Sequence, residues 1–295
     1  MKTSFFRYAF GLLALAIVLP AGAREIDESI DAARNGRVEI INISGSIEVY
    51  GWSDDVVQVT GELGDKVEEL ILERNGDKVL VKVKVPRNNS NNISSDLTVR
   101  IPKRSAVDVS TVSADILVED VEGDQVLHTV SGDVETHAFD NDVSAQSVSG
   151  DVDVNGNGDD IEVTVNTVSG DITLIGVSGD VAAEAVSGDV LVRDGSFDRA
   201  GLNTVNGDID FQAALRDGGK LTAESVNGEI DIKFSGDVSA RFEVETFNGD
   251  ITNCFGPEAQ RTSKYAPGWE LSFTEGDGAG RVTIATLNGD VDICN

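Results

Sequence analysis

VLHTVSGDVET (residues 126–136), AQSVSGDVDV (145–154), VNTVSGDITL (165–174), GVSGDV (176–181) and EAVSGDVLV (184–192) are five readings of one phrase. A small or polar residue is followed by Val, Ser, Gly, Asp and then Val or Ile. The glycines Gly132, Gly150, Gly170 and Gly188 are 18, 20 and 18 residues apart, and Gly179 halves the last interval. The phrase continues with Asn in place of Ser at Gly207, Gly228, Gly249 and Gly289, and weaker forms surround Ala114 and Gly45. A period near 20 residues marks a solenoid, whose repeats bury their apolar faces only against their neighbours.

Aligning on the glycine exposes columns. Five residues before it stand apolar residues such as Leu127, Val165 and Leu202; three before it stand Thr129, Ser147, Thr167 and Thr204; two after it stand Val134, Val152, Ile172 and Ile209. A period of two on each side of the glycine predicts strands with one face on a narrow core. Parity changes across the glycine, so the backbone must bend there, and a positive φ is the expected reason for Gly. The expected fold is therefore all-β: a β-solenoid, parallel β-helix-like, with coils of roughly 18–21 residues. Two coils carry extra residues, Asn155–Asp160 and Arg216–Gly219, read as loops pushed out of the coil.

Upstream, residues 37–105 alternate in longer strands with poorer repeats. Lys78–Val85 is a half-buried strand, and Asn75-Gly76-Asp77 reads as a hairpin turn before it. This region is expected to be an N-terminal β cap, and residues 24–36 a polar segment. Residues 106–295 form the repeat region, with a C-terminal insert at 256–280. Residues 1–23 have the parts of a secretory signal peptide: Lys2 and Arg7, the apolar run Gly11–Leu19, Pro20, and the small residues Ala21-Gly22-Ala23. No later stretch is apolar enough to span a bilayer.

The net charge is −29, from 52 acidic and 23 basic residues, and loss of Lys2 and Arg7 with the leader makes it more negative. Such a surface repels nucleic acid. It is compatible with divalent cations or a basic partner. The Asp column after each glycine, including Asp133, Asp151, Asp171, Asp180 and Asp189, is the boldest chemical feature. Carboxylates stacked about 4.8 Å apart repel unless backbone N–H groups or Ca²⁺ relieve them. The calcium-binding nonapeptide pattern has a doubled Gly that this chain lacks, so turn capping is the expected role and a calcium ladder the alternative.

The SGD and NGD repeats, FNGDITNCFGPE (247–258), ELSF (270–273) and RVTIATLNGDVDIC (281–294) together resemble the bacterial putative-adhesin family of β-strand-repeat domains of unknown function (DUF4097-like). The resemblance spans roughly residues 37–295. It implies a β-solenoid in an exported envelope protein and brings no catalytic residues with it. The residues themselves agree. No Gly-x-Ser-x-Gly, His-Glu-x-x-His or phosphate loop occurs, and His128 and His137 lie on ordinary coils. A non-catalytic binding or scaffold protein without a cofactor is expected, located in the periplasm or at the cell surface, with a glycan or another envelope protein as partner. A polysaccharide-active β-helix enzyme is the alternative. Tyr265 and Trp269, aromatics in the irregular insert, are candidates for a recognition surface or for covering the last coil.

The two cysteines occupy one column, Cys254 five residues after Gly249 and Cys294 five after Gly289. Two full coils between them would place them about 9.6 Å apart, beyond the reach of a disulfide. If residues 256–280 leave the solenoid, the columns become neighbours and a Cys254–Cys294 bridge fits an oxidising compartment.

Overall fold

The computed structural model describes residues 24–87, 91–263 and 267–295, and the proposed leader at 1–23 lies outside them. Among the described residues there is no helix. All strands join one continuous hydrogen-bonded system. Each coil is a pair of strands joined at the Ser/Asn-Gly-Asp corner, for example Val143–Ser149 and Val152–Gly156. Equivalent strands of successive coils pair in parallel and in register: Val134 with Val152, Val152 with Ile172, Ile172 with Val190, Val190 with Ile209.

The columns read from the sequence are the core. Leu127, Ala145, Val165, Ala183 and Leu202 are fully buried in one row, and Val152, Ile172 and Val190 in the facing row. Gln125 and Thr136 interrupt the apolar rows. The Thr136 hydroxyl pairs with the Gln125 side-chain oxygen, and Gln125 Nε2 donates to the His137 carbonyl (2.9 Å), so this buried polar pair is satisfied. Toward the C-terminus the core fills with aromatics. Phe197, Phe211, Phe234 and Phe242 pack in sequence, and Phe273 stacks on Phe242 with ring centroids 4.4 Å apart.

The corner glycines serve a purpose different from the expected positive φ. At Gly150, Gly170 and Gly188 φ is 157–158°, close to extended. The reason is proximity: a Cβ on Gly150 would lie 2.0 Å from the Gly132 carbonyl oxygen, and one on Gly188 would lie 1.9 Å from that of Gly170. Stacked corners touch backbone to backbone. Gly179 stands apart from this column. Its φ is +97°, and a Cβ there would meet Ile161. Gly179 lies at the start of strand Ser178–Ser187, which ends at the Gly188 corner, and pairs with Ile161 rather than with another corner, so the nine-residue step is no structural repeat.

Both ends differ from a simple succession of coils. Residues 37–52 are a full coil and no cap. Strand Arg37–Ile41 lies between Lys78–Lys84 and Ala106–Ser110, and Ser44–Trp52 lies between Ser95–Pro102 and Ser113–Glu119. Antiparallel strands close this end: Arg24–Asp31 on Val56–Leu63, Val56–Leu63 on Ser95–Pro102, and Glu69–Asn75 on Lys78–Lys84. Residues 24–31 are thus an edge strand. Asn75 and Lys78 close the hairpin turn read from the sequence.

At the other end the last coil is inserted into the stack. Strand Gly280–Asn288 pairs with Ile209–Asn227 on one side and Ala240–Asn248 on the other, and Val291–Cys294 lies between Ile230–Phe234 and Ile251–Asn253. The insert at 256–280 does not leave the solenoid. Its strand Trp269–Glu275 runs antiparallel along Ala240–Asn248 and covers the end of the stack. The Cys254–Cys294 disulfide is formed, with Cα atoms 4.9 Å apart.

Of the two sequence inserts, Asn157–Asp159 turns between strands, whereas Arg216–Gly219 stays within strand Ile209–Asn227 as a bulge. Arg216 bonds Asp160 and Asp198 and so ties neighbouring coils (2.9 Å to Asp198). Its guanidinium holds the Asp160 carboxyl below the usual range.

Asp210, Asp231 and Asp292 stack in register on the outer face. Partial desolvation first, then the neighbouring charges of Asp292, Asp210 and Asp208, push the Asp231 carboxyl above its ordinary value. A raised folded-state value means that the folded protein holds this proton more tightly than the unfolded chain. The ionised group therefore destabilises the fold at neutral pH and ceases to do so as pH falls through the folded value. Asp231→Asn is expected to raise stability at pH 7 by about 0.5 kcal/mol or less, since the site is exposed. The gain should vanish in melts at acidic pH, and a gain independent of pH would contradict the assignment.

Candidate functional site

The strand before each corner alternates strictly. Residues five and three before the glycine point inward, and those four and two before it point outward. The outward row two before the glycine is apolar: Val130, Val148, Val168, Val186, Val205 and Val226, extended by Val112 at one end and by Leu287 and Phe247 at the other. These nine are 39–48% exposed, and Ile175 is the only other exposed large hydrophobic among the described residues. Their strands are consecutive in the stack, so the row is continuous along the axis.

An open groove of about 1060 Å³ follows this row from His128 to Trp269. Its second wall is the row four before the glycine, with His128, Gln146 and Asn166 toward the N-terminal end and Glu184, Glu224 and Glu245 toward the other. Its floor is the Thr/Ser column. The hydroxyls there donate to the backbone carbonyl at the corner of the adjacent coil, Ser147 to Gly132 (3.3 Å), Thr204 to Gly188 (3.0 Å) and Thr286 to Gly228 (3.1 Å). Small hydroxylated residues recur here because each fills the narrow end of the core and satisfies a carbonyl at the bend.

The corner beside the groove carries two further ladders. From Asp115 to Asp208 the corner Asp accepts through Oδ1 the N–H of the acidic residue in the next coil, as in Asp151 to Asp133 (2.9 Å), Asp171 to Asp151 (2.8 Å) and Glu229 to Asp208 (2.7 Å). The stacked carboxylates are thus held by charge-assisted bonds running from coil to coil, rather than within one turn. Asp180 is no member of the ladder; it pairs with Arg199 on another side. Where Ser gives way to Asn, the amides bond one another: Asn227 to Asn206 (2.9 Å), Asn288 to Asn227 (2.8 Å) and Asn248 to Asn288 (2.8 Å). Among the described residues, no group of three or more His, Cys, Asp or Glu is arranged to hold a metal ion.

Trp269 lies at the C-terminal end of the groove, opposite Thr246, with the Arg261 guanidinium 4.3 Å over its ring. It both covers coil 240–253 at the end of the stack and lines the groove. Tyr265 falls outside the described residues. His128 lines the other end, whereas His137 sits apart near Glu119. The apolar row is the feature that column reading passed over. Its signal was present: Val two before the glycine has the opposite parity to the buried residues three and five before it, so its repetition could not serve the core.

Fold and groove together define a β-solenoid protein with one continuous apolar face beside a ladder of acidic corners. The chain belongs to the Toastrack DUF4097 family, whose profile matches residues 27–187 and again 178–294. It is similar in structure to a putative lipid binding protein from Parabacteroides distasonis (TM-score 0.50, 14% identity, 91% of this chain and 96% of that one). It is also similar to a putative adhesin from Bacteroides fragilis (TM-score 0.45, 12% identity, 92% and 97%). At such identities the likeness concerns the fold alone. No curated protein matches the chain in sequence. No helix among the described residues is long and apolar enough to cross a membrane.

Proposed function

We propose that this chain is a non-catalytic binding or scaffold protein of a bacterial cell envelope, exported by its N-terminal leader, and that it holds an extended partner in the groove. One observation carries this reading. Among the described residues, nine of the ten exposed large hydrophobics fall in a single row along the solenoid axis. A soluble surface rarely exposes a contiguous apolar strip unless it binds something.

The groove is a poor polysaccharide-cleaving site. Its rim carboxylates Glu184, Glu224 and Glu245 stand two rungs apart along the stack. That is about 9.6 Å, at the outer limit for a carboxylate pair acting on one glycosidic bond. The reading calls for no cofactor; turn capping is the role we assign to the Asp ladder, whose Oδ1 atoms accept backbone N–H groups.

The test uses Nile red, an uncharged dye that brightens in apolar sites. The native protein should bind it, and the Val186→Glu/Val205→Glu variant should lose at least about tenfold in affinity, since two buried contacts are exchanged for charges. Equal binding by both proteins would remove the groove from consideration. Release of new ends from pectin, alginate or peptidoglycan, lost on replacing one rim Glu, would establish the enzyme instead.

A further inference from the structure

We infer that the groove holds the hydrocarbon chain of an amphiphile whose headgroup carries no net negative charge. This rests on the groove being the binding surface, and the shape and chemistry of the row select the occupant.

The row is one side chain wide and nine rungs long, about 38 Å at the ladder spacing. A bound peptide strand running along the axis would place same-side residues about 6.7 Å apart, out of step with rungs about 4.8 Å apart. A polymethylene chain has no register of its own and meets every rung equally. The floor offers a polar polymer no free hydroxyl donor at these positions. The hydroxyls of Thr129, Ser147, Thr167, Thr204 and Ser225 are already donated to backbone carbonyls at 3.0–3.3 Å. Sugars stack on aromatic rings, and the row is aliphatic until Phe247.

A second copy of the chain is a poor occupant as well. A strip about 38 Å long and roughly 10 Å wide buries about 800 Å² over both partners, below the range of stable interfaces. Each copy would also bring a net charge of −29.

The polar wall decides the headgroup. Glu184, Glu224 and Glu245 line it toward the Trp269 end; among the described groove-lining residues none is Lys or Arg, and the nearby Arg261 guanidinium is stacked over the Trp269 ring. A carboxylate, sulfate or phosphomonoester head would meet three carboxylates against the one guanidinium of Arg261 there. A cationic or zwitterionic head would be drawn to those carboxylates, with the exposed Phe247 ring on the same rung as Glu245.

The full chain carrying Trp52→Phe, with Trp269 as reporter, is titrated below micellar concentrations with decyl-, dodecyl- and tetradecyl-trimethylammonium, dodecylphosphocholine and dodecyl sulfate. Fluorescence and calorimetry are read together. The trimethylammonium series should bind with affinity rising roughly two- to fourfold per methylene, as for burial of CH₂ groups. Dodecylphosphocholine should bind, and dodecyl sulfate should bind at least about tenfold more weakly. Val186→Glu/Val205→Glu should lose the cationic series. Mere attraction to an acidic protein predicts the reverse, because the variant is more negative. Val186→Thr/Val205→Thr, nearly isosteric, should weaken binding while preserving the fold. Affinity independent of chain length, undiminished binding by the Glu variant, or equal binding of the sulfate would each overturn the inference. If no amphiphile binds but Nile red still distinguishes the groove variant, the hydrocarbon-chain inference fails and the groove remains a binding surface. If neither probe responds to the groove substitutions, both fail.

Discussion

Gly188→Ala is expected to cost at least about 3 kcal/mol, the upper range for overpacking a tightly packed site. The added methyl would stand 1.9 Å from the Gly170 carbonyl oxygen and 3.0 Å from Oδ1 of Asp171. The first of these is backbone, held by the corner bonds from Gly170 N–H to the Ser187 carbonyl (3.1 Å) and from Gly188 N–H to the Asn206 carbonyl (3.1 Å). Relief requires parting the two coils, which breaks the Asp ladder and the strand ladders with it. Gly218→Ala is the control. Gly218 has φ +75° and open space around it, so the substitution meets only the left-handed backbone penalty of about 1 kcal/mol. Denaturant midpoints for the two variants should therefore separate clearly. Similar small losses for both would show that conformation, not contact between corners, explains the glycine column.

The second large effect belongs to the disulfide. Replacing Cys254 and Cys294 together by Ser should destabilise the protein by about 3–4 kcal/mol, from the chain entropy of opening a loop of 40 residues. The loss should be local. Cys294 ends strand Val291–Cys294, which is wedged between Ile230–Phe234 and Ile251–Asn253, and Cys254 N–H donates to the Ile293 carbonyl (2.9 Å). The bridge keeps the inserted coil from withdrawing. Hydrogen exchange should accelerate in residues 240–253 and 280–294, while strands such as Val143–Ser149 keep their protection, because openings follow contiguous cooperative units. Uniform acceleration along the chain would mean that the bridge does not serve as a local clasp. The observed Cα separation of 4.9 Å matches one rung, as the column argument requires. The route by which the chain achieves it differs from the expected one.

That difference shows where reading from sequence stops. The period, the corner and the buried rows were legible because a strand's two faces alternate, and a phrase repeated many times averages away local exceptions. Leu127, Ala145 and Val165 stack as aligned, and Gly45 and Ala114, the weakest matches, join the same column. The shared column of the two cysteines was legible for the same reason. The order of coils was not. Every rung presents nearly the same rows of Val, Thr and Ile, so any coil can stack in register on any other. Only three-dimensional closure placed residues 280–294 between 220–234 and 240–253, and residues 37–52 between 78–102 and 106–119. The reason for each corner glycine also lay outside the sequence, since positive φ and close contact select the same residue and only the approach of a second backbone distinguishes them. The groove belongs to both levels. Parity alone turns Val148 and Val186 outward, but it takes the stacking of consecutive coils at one rung's spacing to make isolated valines into a continuous apolar face.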